Sequence, residues 1–162
     1  MNIESVRLCY PEGCNIIVGQ SHFIKTVEDI GEIMASSLPG AKWGLAFNEA
    51  SGTCLVRTEG NDSLLVDAAT SCAQATGAGH SFYLILGPGA FPINVLDRIR
   101  NCAGVCRIFC ATGNPLEAIV ARTEQGAGIL GVVDGFSPLG VEGMTEKADR
   151  RSLLRKFGYK YC

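Results

Sequence analysis

The chain has 162 residues and carries 14 basic against 16 acidic side chains, a balance that argues against a protein that coats DNA or RNA through excess Lys and Arg. Hydrophobic residues make up 47% and charged residues 19%, which excludes intrinsic disorder and is enough for one domain spanning 1–162 with its own core. Twenty glycines are nearly double the ~11 of average usage, so many backbone positions must serve turns or close approaches.

In chain order, Ile3 to Cys9 and Asn15 to Gly19 read as strands. Thr26 is a candidate N-cap, with Asp29 at N3, for a helix whose apolar stripe is Val27, Ile30, Ile33, Met34 and Leu38 and which Pro39-Gly40 ends. Trp43 to Glu49 and Cys54 to Thr58 form a hairpin around Ala50-Ser51-Gly52-Thr53. A helix from Ser63 to Ala75 presents Leu64, Leu65, Ala68, Cys72 and Ala75, and Gly77-Ala78-Gly79 stops it. Ser81 to Leu86 is apolar enough to be buried on both faces. Phe91-Pro92 starts a helix to about Arg100. Strands follow at Val105 to Cys110, Leu116 to Arg122 and Ile129 to Val133, and the last helix runs from about Glu146 to Phe157. Helices alternating with apolar strands predict an α/β protein, a three-layer α/β/α sandwich, and the hairpin predicts a mixed sheet.

The eight cysteines lack disulfide-scaffold density, no residues near Met1 read as a signal peptide, and no apolar run is long enough to span a bilayer. A cytoplasmic protein with reduced thiols is expected, with neither membrane nor nucleic acid as partner. Cys102, Cys106 and Cys110 recur every fourth residue, but not as C-x2-C and without a nearby histidine. Burial as small hydrophobes is the plainer reading, and a metal or redox centre the alternative.

No P-loop, nucleophile elbow, H-E-x-x-H or G-x-G-x-x-G after the first strand is present. Candidate chemistry falls on loops that follow strands, where open α/β sheets bind ligands. Gln20, Ser21 and His22 follow the second strand, and His80 is the only other histidine. Gly87 and Gly89 precede Phe91 and Asn94 at a helix start, and so either cradle a phosphate or make a tight turn. Thr112 and Asn114 end another strand. Asp134 followed by Gly135 suits a Mg²⁺ ligand, a general base, or simply a turn. The basic residues of the last helix, Arg150, Arg151, Arg155 and Lys156, read as a solvated face, a subunit contact or a phosphate clamp.

Several runs together resemble one family. They are Gly19-Gln20-Ser21-His22-Phe23-Ile24-Lys25-Thr26-Val27-Glu28-Asp29, Gly44 to Gly52, Gly77-Ala78-Gly79-His80, Ala90-Phe91-Pro92-Ile93-Asn94-Val95-Leu96, Ile108 to Pro115, Gly128 to Gly135 and Gly158-Tyr159-Lys160. In these the chain is similar to the adenosine-specific kinases, small prokaryotic proteins that bind adenosine or AMP. The resemblance implies a three-layer α/β fold, adenosine or AMP as ligand, and a homo-oligomer built from trimers. It departs at Ala127, where relatives carry Arg. On that basis the expected activity is phosphorylation of adenosine by a nucleoside triphosphate with Mg²⁺. Asp134 would be metal ligand or base and His22 a contact near the transferred group. The 87–89 loop and Asn114 would hold phosphate, and Phe91 would face the base. A non-catalytic AMP-binding or sensing module is the alternative.

Overall fold

The computed structural model describes residues 1–161. The elements are β1 (Asn2–Leu8), β2 (Asn15–Ser21), α1 (Thr26–Ser37), β3 (Trp43–Asn48), β4 (Val56–Gly60), α2 (Ser63–Thr76) and β5 (Ser81–Leu86). A 3-10 turn (Pro92–Asn94), α3 (Leu96–Arg100), β6 (Val105–Thr112), β7 (Leu116–Arg122), β8 (Ala127–Asp134) and α4 (Met144–Lys156) complete the chain. None of these helices is long and apolar enough to cross a membrane.

A five-stranded sheet has the order β4-β3-β5-β2-β6, and a three-stranded sheet the order β1-β7-β8. The α/β class is as the sequence predicts, but the sheets are not mixed: every strand pair is antiparallel. The reason lies in the crossovers. β2 and β3, joined through α1, both run antiparallel to β5, which lies between them. β5 and β6, joined through α3, are likewise split by β2. Strand–helix–strand order implies parallel strands but does not say that they are neighbours.

The central strands β3 and β5 are buried along their whole length, which accounts for their nearly unbroken apolar sequence. One face of the large sheet packs Ile17, Leu45, Phe82, Leu84 and Leu86 against Val27, Ile30, Met34 and Ile99 of α1 and α3. The other packs Ile16, Val18, Tyr83 and Ile85 against Leu65, Ala69 and Cys72 of α2 and against Leu8, Leu116, Ala118 and Val120 of the small sheet. The third layer is therefore helix and sheet side by side, not helix alone.

Local expectations hold in part. Asp62 caps α2 by accepting the Leu65 N–H at 3.3 Å, and Gly77 ends that helix in the left-handed region at φ 57°. Thr26 is not the cap of α1: it lies inside the helix, and its hydroxyl is bonded to that of buried Ser21. The helix expected from Phe91 to Arg100 is a 3-10 turn and a five-residue helix, broken at Val95. The hairpin joins β3 to a strand that begins at Val56, two residues later than expected, after Cys54 at φ 52°.

Candidate functional site

The antiparallel sheet gives the predicted site residues two separate addresses. β2 and β3 end where β5 and β6 begin, so Gln20, Ser21, His22, Asn48 and His80 gather at one end. β5 and β6 end where β2 begins, so Gly87, Gly89, Phe91, Asn94, Thr112, Asn114, Asp134 and Gly135 lie at or toward the other. Seven residues of β2 separate the ends, about 20 Å of strand. Within one chain the loops do not converge on one nucleotide, and His22 and Asp134 do not meet.

At the histidine end, backbone bonds tie the loops together. Ser21 donates its N–H to the His80 carbonyl at 2.9 Å, His22 to Gly104 at 2.8 Å, and His80 to Asn48 at 2.7 Å. The buried Asn48 amide donates to the carbonyls of Ala73 and Ala78 at 2.9 and 3.1 Å and to the Ser81 hydroxyl at 3.2 Å. His80 is held at φ 61°, a left-handed conformation that a β-carbon disfavours. Its ring stands 5.1 Å from that of His22 and stacks at 6.0 Å on Phe47, a residue of the α1-side core.

On the other face of this end a cleft of about 790 Å³ opens between the end of α2, the β3–β4 connection and the β7–β8 turn. Asn48, Glu49, Gln74 and Gln125 supply polar side chains, and Gly79 and Gly128 bare backbone. A recess of about 90 Å³ lined by Gln20, Ser81, Phe109 and Ile129 adjoins it through the same two glycines. The size is that of a small-molecule pocket. The two Gly-Ala-Gly triplets, 77–79 and 126–128, meet here through a parallel bridge between Ala78 and Ala127. In the sequence the first reads as a helix stop and the second as the lead into a strand. Their identity is the one signal that could have flagged the cleft, whose Asn48, Gln74 and Gln125 the sequence reading missed.

The cleft receives the carboxyl end of α2, whose Ala73 and Ala75 carbonyls accept from the Asn48 amide at 2.9 Å and from Arg122 at 3.1 Å. Glu49 is fixed by the Leu55 N–H at 3.0 Å, by Arg57 at 3.0 Å and by Thr53 at 3.1 Å. These bonds, the backbone one foremost, hold its carboxyl below the ordinary carboxylate range. The amide side chains of Asn48, Gln74 and Gln125 give the lining both acceptors and donors for a polar ligand.

At the other end Asp134 Oδ1 accepts from the Thr112 hydroxyl at 2.6 Å and from the Asn114 amide at 3.0 Å. Tyr10 donates to the Asn114 carbonyl, and burial, reinforced by Asp134, pushes its hydroxyl up to about 12. Gly135, at φ 70°, sits over Asn114. Three N–H groups of the expected phosphate loop are used internally: Gly87 N–H bonds the Lys42 carbonyl, Ala90 that of Gly87, and Asn94 that of Phe91. Phe91 meets Tyr159 edge-on at 5.9 Å. A second cleft, about 410 Å³, opens beside Tyr10, Gly13 and Asn114.

Among the described residues no three His, Cys, Asp or Glu side chains are grouped to hold a metal. Cys102 packs on the α1 side, Cys110 on the α2 side, and Cys106 is exposed. Burial pushes the Cys110 thiol up to about 12, which keeps it protonated and a poor metal ligand.

The model of the family described as adenosine specific kinase matches residues 6–160. Among solved structures, the chain is similar to the PH1918 protein from Pyrococcus horikoshii OT3, with 41% identity, 99% of each chain covered and a TM-score of 0.92. No curated protein matches. A family match over nearly the whole length, with every quoted run inside it, leads to one conclusion: the chain belongs to the adenosine specific kinase family.

Proposed function

We propose that the protein binds adenosine in the cleft at the histidine end and converts it to AMP with a nucleoside triphosphate. The carrying observation is the 790 Å³ cleft lined by Asn48, Glu49, Gln74 and Gln125. The exocyclic amine and ribose hydroxyls of adenosine are donors that the Glu49 carboxylate and the side-chain carbonyls of Asn48 and Gln74 would match. In the transfer the bond from the γ-phosphorus to its bridging oxygen breaks. A new bond to the ribose hydroxyl forms, and the hydroxyl proton passes to solvent or to a base. Such transfer depends on positioning and charge neutralisation more than on covalent chemistry. Mg²⁺ enters with the triphosphate as part of the substrate, and one or two carboxylates are all that such a complex asks of a protein. The residues at the cleft do not form a metal site, and Asp134 stands about a strand's length away, so no step is assigned to Asp134 or to a protein-held metal.

His22 and His80 do not line the cleft but stand across the strand ends from it, and His22 is proposed to contact the triphosphate from that side. His22→Ala should lower kcat by about 10–100-fold, the worth of one hydrogen bond to a charged group, and leave KM for adenosine nearly unchanged. Purified protein with adenosine, ATP and Mg²⁺ should form AMP. Absence of AMP from the folded protein across several triphosphate donors removes the kinase reading.

The separation of His22 from Asp134 favours a second reading, an AMP-binding module without turnover. Micromolar AMP binding in calorimetry, with no product formed, would select it.

A further inference from the structure

The two carboxylate oxygens of Glu49 are used unequally. Oε2 accepts four hydrogen bonds: from the Leu55 N–H at 3.0 Å, from the Thr53 hydroxyl at 3.1 Å, and from the Arg57 guanidinium at 3.0 and 3.3 Å. Oε1 accepts none among the described residues. The side chain is 14% exposed, and Glu49 lines the 790 Å³ cleft. Its carboxylate is therefore fixed before any ligand arrives, and a bond to Oε1 would cost little further ordering.

The surroundings narrow what that oxygen can take. Arg57 already balances the Glu49 charge, so Oε1 suits a neutral donor rather than a cation. Adenosine offers neutral donors of two kinds. Its exocyclic amine stands beside a ring-nitrogen lone pair, so that edge asks for an acceptor and a donor together, which an amide side chain supplies. The amides of Gln74 and Gln125 line the same cleft. A carboxylate oxygen placed there would face the ring nitrogen as one acceptor against another. The ribose 2′,3′-diol is different, because both hydroxyls rotate to donate to an acceptor-only oxygen. Acidic side chains read ribose in this way in dinucleotide-binding folds.

We infer that Glu49 selects a ribonucleoside, its Oε1 accepting from the 2′,3′-diol while Oε2 stays bonded to the hairpin. This rests on the reading that adenosine occupies the cleft. A deoxyribonucleoside lacks one of the two donors and leaves Oε1 poorly matched, and sites built to bond a hydroxyl reject analogues without it.

Glu49→Gln tests the assignment. Leu55, Thr53 and Arg57 all donate, so the Gln carbonyl takes the place of Oε2 and its NH2 group that of Oε1. The free acceptor becomes a donor while the hairpin keeps its bonds. Calorimetry on both proteins would compare adenosine, 2′-deoxyadenosine, 3′-deoxyadenosine and purine riboside, which lacks only the amine. In the wild type at least one deoxy analogue should bind about 10–100-fold more weakly than adenosine. In Glu49→Gln adenosine should weaken by about the same factor and that analogue should change little. The ratio of adenosine to purine riboside should stay as it was. A wild type that binds both deoxy analogues as tightly as adenosine overturns the inference without any variant. So does a Glu49→Gln protein, shown to be folded by far-UV circular dichroism and its melting temperature, that weakens all four nucleosides alike or loses the preference for the amine instead. Those results leave adenosine binding intact, whereas a wild type that binds no nucleoside removes the proposed function together with this inference.

Discussion

Asn48 joins the end of α2, the 78–80 loop and β5 through one buried amide group. Asn48→Ala would leave the Ala73 carbonyl and the 78–80 loop without that donor. The expected loss is about 1–3 kcal/mol in urea unfolding, together with weaker adenosine binding, because the loop forms the cleft wall. Asp62 works differently. Lys42, at 3.1 Å, and the Leu65 N–H hold its carboxyl below the ordinary range. Its stabilising effect is therefore complete above the ordinary carboxyl pKa of about 3.9 and is lost as pH falls through the lowered folded value. Asp62→Asn keeps a good helix cap but removes the charge. The stability gap between wild type and this variant should be present at pH 6 and shrink toward pH 3. The candidates Gln20, His22, His80, Asn114 and Asp134 stand out in the sequence by residue type and by their places beside strands, and the fold divides them between two ends. Asn48 does not, because it reads as one polar residue where an apolar strand runs into its turn, and only the fold shows that its amide is a hub.

At the scale of elements, α2 lies against β3 because Gly44 has no side chain. A β-carbon there would fall 2.2 Å from the Val66 nitrogen and 2.3 Å from the Leu65 carbonyl carbon, both backbone atoms that cannot turn aside. Gly44→Ala should cost at least the upper end of the ~1–3 kcal/mol typical of overpacking, read as a lower urea midpoint with an unchanged slope. Most elements were visible in the sequence, since apolar periodicity and glycine punctuation mark α1, α2 and β5 without tertiary information. Strand neighbours were not. The crossovers through α1 and α3 fix strand direction, but the insertion of β5 and β2 between the joined strands comes from packing on both faces. Strict alternation does not hold along β6: register shifts against β2 put Phe109 and Cys110 into the same core, whereas Cys106 is exposed.

For the whole molecule, antiparallel pairing has one large consequence. It divides the strand-end loops between two ends, so the glycine-rich runs of the sequence serve two clefts rather than one. The histidine end carries the larger, with helix carbonyls and side-chain amides around it. The acid end carries Asp134, Thr112 and Asn114. The most direct test is a crystal structure of the protein with adenosine. The nucleoside should lie between Asn48, Gln74, Gly79 and Gly128, with its amine or ribose hydroxyls on carbonyl oxygens. Adenosine bound instead against Asn114 and Asp134, or absent from both clefts at saturating concentration, would contradict this assignment.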